Sequence, residues 1–130
     1  MQTQPLILCV DDNKTIISFL VNYLSRNGYQ ILTAFDGEEG LAKMKEFHPD
    51  LTLLDLNMPK MTGFDVAYAA HNDPELINIP IVILSALSQA HNKERHELRN
   101  VYDYLTKPVN PAKLLSVIDN TLKESKRLHA

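Results

Sequence analysis

The sequence predicts an α/β domain, with a parallel sheet covered by helices on both faces. Three observations lead there. Five short apolar runs recur at residues 6–10, 29–34, 51–54, 80–84 and 102–106. Segments with helical apolar spacing or capping signals separate them, and such alternation calls for parallel strands joined by crossover helices. Polar groups stand just past the C-terminal ends of four runs: Asp11 and Asp12, Asp55, Ser85, and Lys107 with Pro108. That edge of an open α/β sheet is where ligands bind.

The elements follow in order. Leu-Ile-Leu-Cys-Val at 6–10 is a continuous apolar strand. Residues 13–27 predict a helix, with Ile16, Ile17, Leu20, Val21 and Leu24 on one face and Gly28 as the stop. A second strand covers 29–34. Asp36 and Gly37 open a helix that runs to about Phe47, with Leu41 and Met44 facing inward, and His48, Pro49 and Asp50 break it. The third strand is 51–54, followed by a Pro-containing loop at 57–60. Thr62 caps a third helix that ends near His71, and Asp73-Pro74 marks a turn. The fourth strand is 80–84.

Residues 88 to about 100 predict the fourth helix. Only Ala90 and Leu98 anchor it. Because tertiary packing supplies most helix stability, this element is expected to be adaptable. The fifth strand covers 102–106. Asn110 is an N-cap followed by Pro111 at the first helical position. The fifth helix then turns Leu114, Leu115, Ile118 and Leu122 toward the core.

The chain's 130 residues, 45% hydrophobic, suit one domain over 1–130 with a single core. The net charge is −3 and no basic run appears, which argues against direct nucleic-acid binding. The cations of Lys123, Lys126 and Arg127 suit the end of a helix dipole. Cys9 is the single cysteine, so no internal disulfide forms, and a small core residue in a reducing compartment is expected. The apolar run after the N-terminus is too short for a signal-peptide core, and no stretch approaches the roughly 20 residues of a membrane span. A cytoplasmic protein with no membrane contact is expected.

The polar groups carry the chemistry. If the first and third strands are neighbours, Asp11, Asp12 and Asp55 meet. At ~5 Å and an effective dielectric of ~20, each pair of carboxylates repels by about 3 kcal/mol. Either one is protonated or a cation sits among them. An oxygen-rich site with few ligands suits Mg²⁺. Lys107, flanking the same crevice, would meet an anion, and its bond to Pro108 is a candidate cis peptide. Ser85 would donate a charge-assisted hydrogen bond to a phosphoryl group. His48, His71, His91, His96 and His129 fall at no strand end near Ser85 and are read as solvated, which excludes a Ser-His-Asp hydrolase.

These residues together resemble the receiver domain of two-component response regulators. Asp11-Asp12, Asp55 in LLDLNMPKMTG, Ser85 in ILSA and Tyr104 to Pro108 in YLTKP carry the likeness, and the intervals from 55 to 85 and from 85 to 107 match the family's pattern. The resemblance spans essentially the whole chain, and its length is most similar to that of stand-alone chemotaxis-type regulators. It implies a flavodoxin-like, doubly wound five-stranded sheet in the order 2-1-3-4-5 with five helices. It implies that Asp55 accepts a phosphoryl group from a phosphohistidine on a sensor histidine kinase or histidine phosphotransfer protein. Asp12 and Asp55 would bind Mg²⁺ directly, Asp11 through water and Asn57 through its backbone carbonyl. Lys107 would pair with the phosphoryl oxygens, Ser85 would swing toward them, and Tyr104 would turn inward. The fourth helix, fifth strand and fifth helix would signal to a downstream effector, from a monomer or a phosphorylation-dependent dimer.

The chain departs from the family in places. Asn100-Val101 replaces a frequent Gly-Ala pair, and Tyr102 adds an aromatic near the readout face. Leu87, two beyond Ser85, would obstruct attacking water. The competing expectation is a small Mg²⁺-dependent aspartyl-phosphate phosphohydrolase of the haloacid-dehalogenase type. Those enzymes favour Asp-x-Asp, whereas Asn57 stands at the second position here.

Overall fold

Apolar runs become interior strands here because helices cover both of their faces. The computed structural model of the protein describes residues 4–86 and 98–129. Its elements are β1 (Leu6–Val10), α1 (Lys14–Arg26), β2 (Gln30–Ala34), α2 (Gly37–Phe47), β3 (Leu51–Asp55), α3 (Gly63–His71), β4 (Ile81–Ser85), β5 (Val101–Thr106) and α4 (Pro111–Leu128). The five strands form one sheet in the order β2-β1-β3-β4-β5, and every pairing is parallel. This is the doubly wound fold and strand order expected. Four helices lie among the described residues; the helix expected over 88–100 falls outside them, save for 98–100, which lead into β5 through a turn.

Side-chain alternation along the strands divides the core in two. Leu8, Val10, Leu54, Ile81 and Ile83 face the layer of Met44, Val66, Ala67 and Ala70 from α2 and α3. Ile7, Cys9, Leu51, Leu53, Val82 and Leu84 face Ile17, Leu20 and Leu24 of α1 and Leu114, Val117 and Ile118 of α4. The single core expected from composition is thus two layers, one on each side of the sheet. β3 and β4 are buried throughout, whereas β2 and β5, at the edges, are half-covered. Leu115 and Leu122 pack at the margin of the second layer rather than inside it.

Local signals set the helix ends. Asn13 caps α1, its Oδ1 accepting from the N–H groups of Thr15 and Ile16. Gly28, at φ 93°, supplies the left-handed turn after α1 that other residues resist. Thr62 and Asp65 form a reciprocal capping box on α3. Asn110 caps α4 with Pro111 in its first turn. His71 corrects an expectation: rather than fully solvated it is partly buried, with its Nε2 covered.

Candidate functional site: an acidic pocket closed by a lysine

Strand register brings the site together. Val10 of β1 pairs with Leu54 of β3, so Asp11 and Asp55 leave adjacent strands side by side. Asp55 pairs with Leu84 of β4, and Ser85 with Thr106 of β5, which brings Lys107 to the same edge. The sheet order reverses at β1, placing the crevice where such folds bind ligands. One oxygen from each of Asp11, Asp12 and Asp55 lies within 4.8 Å of the others. Asp11 and Asp55 are buried, while Asp12 is open to solvent.

Lys107 is the internal counter-charge. Its Nζ donates to Asp55 Oδ1 at 2.9 Å and to Asp11 Oδ2 at 3.1 Å. Its backbone N–H donates to the Ser85 carbonyl at 2.8 Å, and its bond to Pro108 is cis. The Asn13 N–H donates to Asp11 Oδ1 at 2.9 Å, and the Asn57 N–H to Asp55 Oδ1 at 3.3 Å.

Burial pushes the Asp55 carboxyl above the usual carboxylate range; the hydrogen bond from Lys107 opposes this and the charge of Asp11 adds to it. Burial also works against the Lys107 ammonium, but its bonds to Asp55 and Asp11 more than offset that and raise its pKa. The proton therefore stays on Lys107. Three carboxylates face one ammonium, all the donors are oxygens and one side is open, which fits a hard divalent cation.

Ser85 ends β4 and is buried beneath this edge. Tyr104 is half-buried, its hydroxyl covered and its ring centroid 6.2 Å from that of Phe64. Leu87 lies outside the described residues, as do His91, His96 and Ala90. An apolar groove of about 540 Å³, lined by Ile16, Phe19, Leu20, Pro108 and Val109, runs beside Lys107.

Two residues of the site were not singled out from sequence. Gly63 opens α3 directly against the end of β3: a Cβ there would stand 2.6 Å from the Asp55 carbonyl oxygen. Its placement right after the cap Thr62 was the available signal. Asn13, read only as the start of a helix, also holds Asp11.

The fold is a doubly wound α/β domain with a lysine-bridged acidic pocket at its switch point. The chain belongs to the response regulator receiver domain family, which it matches over residues 7–119, and is thereby a receiver domain of two-component signalling. Among curated relatives it is 35% identical to Protein PilH of Pseudomonas aeruginosa, over 89% of this chain and 96% of that one. It is 34% identical to the alkaline phosphatase synthesis transcriptional regulatory protein PhoP of Bacillus subtilis, over 92% of this chain and 49% of that protein. The chain thus spans about half the length of several curated relatives, and 8% of the hybrid signal transduction histidine kinase D of Dictyostelium discoideum. Among solved structures, the chemotaxis protein CheY4 of Vibrio cholerae superposes with a TM-score of 0.84 at 31% identity, covering 92% of this chain and 99% of that one. No helix among the described residues is long and apolar enough to cross a membrane.

Proposed function

We propose that residues 1–130 form a single receiver that accepts a phosphoryl group on Asp55 and signals by a change of shape. The observation that carries this reading is the Lys107 ammonium bridging the buried carboxylates of Asp55 and Asp11 at the sheet edge. The donor is a phosphohistidine on a sensor histidine kinase or histidine phosphotransfer protein. A carboxylate oxygen of Asp55 attacks phosphorus, the P–N bond breaks, and the imidazole leaves. Asp12 and Asp55 would hold Mg²⁺ directly, Asp11 through water and Asn57 through its carbonyl. When bound, Mg²⁺ supplies positive charge to the phosphoryl oxygens.

The chain's own residues do the rest. Lys107 is already charged and stands beside Asp55, so it neutralises a phosphoryl oxygen as one is added. Ser85 donates to another. Tyr104 then repacks, and the surface formed by β5 and α4 presents a new face to a downstream effector. The groove beside Lys107 gives the phosphodonor a place to dock. We place the protein in the cytoplasm, without nucleic-acid or membrane contact of its own, as a monomer or a phosphorylation-dependent dimer. It is not an enzyme toward other molecules and catalyses only its own phosphorylation and dephosphorylation.

Incubation with Mg²⁺ and acetyl phosphate, followed by intact-mass measurement, tests this reading. Wild type should gain about 80 Da, the mass of one phosphoryl group, and Asp55→Asn should gain nothing. Equal labelling of both would refute it.

A further inference from the structure

We propose that Asn100 is a latch: a positioning residue that fastens the start of β5 to α3 and so sets how readily Tyr104 and Lys107 adopt the phosphoryl-bound arrangement. The proposal rests on the phosphoacceptor reading above. Asn100 is 1% exposed. Its Nδ2 donates to the Ala67 carbonyl of α3 at 3.0 Å, and its own carbonyl accepts from the N–H of Ile81, the first residue of β4, at 2.8 Å. The next residue, Val101, closes a turn by donating to Leu98 at 3.1 Å. One residue therefore ties α3, β4 and β5 together.

The bond is an unusual one to keep for stability alone. Asn100 Oδ1 is buried and, among the described residues, has no hydrogen-bond partner, so the oxygen side of the amide is unsatisfied there. The desolvation of that oxygen works against the gain from the Nδ2 bond. Buried polar groups that break the packing rule are expected where function needs them. The position supports that reading. Pairing along β4 and β5 runs Ile81 with Val101 and then Val82 with Asp103, so Tyr102 is an extra, bulged residue two positions after the latch. Beyond the bulge, Ile83 pairs with Tyr104 and Ser85 with Thr106, and Lys107 follows. A strand pinned at Asn100 and bulged at Tyr102 holds its far end, with Tyr104 and Lys107, in one arrangement. Releasing the pin leaves the bulge free to absorb a shift. By linkage, a ligand that favours the shifted arrangement then binds more tightly.

Asn100→Leu removes the donor and keeps the branched shape with added bulk; Asn100→Ala removes the donor without adding bulk and controls for packing. Two measurements on the full chain test the latch. In amide hydrogen exchange, both variants should open about tenfold faster at Ile81 and Val101, with β1 amides unchanged. In titration with beryllofluoride and Mg²⁺, both should bind about threefold or more tightly than wild type. Unchanged exchange at Ile81 and Val101 overturns the latch. Faster exchange with unchanged or weaker beryllofluoride affinity overturns its coupling to the site. A wild-type chain that neither binds beryllofluoride nor takes a phosphoryl group overturns the phosphoacceptor reading and the coupling with it, while the exchange measurement still decides whether Asn100 pins β5.

Discussion

Lys107 Nζ stands 2.9 Å from Asp55 Oδ1, although 52 positions separate the two in the chain. The pair exists because β3, β4 and β5 end in register, and it carries the pocket's internal charge balance. That balance is incomplete: Asp11 and Asp12 leave a surplus of negative charge around one ammonium.

Burial, with a smaller addition from the charge of Asp11, makes the Asp55 carboxylate a burden on the fold when no cation is bound. Its pKa is raised on folding, chiefly by burial. A carboxyl of this kind contributes stability that is fully present below its unfolded value, near 4, and is lost as pH rises through the folded value. Asp55→Asn should therefore unfold at higher urea concentration than wild type at pH 7 in EDTA. The gap should close as pH is lowered through the acid range. A variant less stable than wild type at pH 7 would contradict this charge assignment.

Asp12 is the exposed member of the acidic trio, and its removal should disturb the fold least. Asp12→Ala should keep the wild-type urea midpoint in EDTA to within about 0.5 kcal/mol, as for surface substitutions generally. It should weaken Mg²⁺ binding by about 10- to 100-fold, the range seen when metal sites lose a supporting group. Isothermal titration with MgCl₂ reads the second quantity directly, and equal affinity would exclude Asp12 as a ligand.

Gly63 has no room for a side chain. A methyl group would press on the Asp55 carbonyl at 2.6 Å and the Leu56 Cα at 2.9 Å, both backbone atoms that cannot swing aside. Gly63→Ala should destabilise the protein by about 1–3 kcal/mol, the usual cost of overpacking. Because the strain falls on the strand end bearing Asp55, acetyl phosphate labelling should slow as well. Urea titration and the mass assay check the two effects separately.

Cys9 sits in the inner layer of β1, its thiol pushed up to about 12 by burial and the nearby charge of Asp11. It should resist alkylation by iodoacetamide at pH 8 and react only on unfolding, since the thiolate is the reactive form. Rapid modification of the native chain would show that β1 opens far more easily than its packing implies.

Most of the scaffold was legible because its signals are local. LILCV and IVIL are apolar without interruption and LTLL is broken only by Thr52, a pattern that doubly covered strands require, and Asn13, Thr62 and Asn110 are caps by residue type. The site was legible for a related reason: strand ends share an edge once the order is known, so Asp11, Asp55 and Lys107 had to meet. Asn100 stood out only as a departure from the family's Gly-Ala pair, and its burial and its bond to Ala67 were hidden, because they depend on the approach of α3. Gly63 was hidden too, since nothing in the sequence reports how closely a helix start approaches a neighbouring carbonyl. The extra residue at Tyr102 likewise depends on pairing with β4, which no single strand reveals.

The division of each inner strand between two apolar layers fixes something the loops do not. Adding or deleting one residue within β1 or β3 would exchange the layers that every later side chain faces, swing the terminal carboxylate to the opposite side, and separate it from Lys107. Loop lengths in a protein of this design are free to drift over generations, while the count of residues between a strand's first side chain and its acid is locked to an odd-or-even rule.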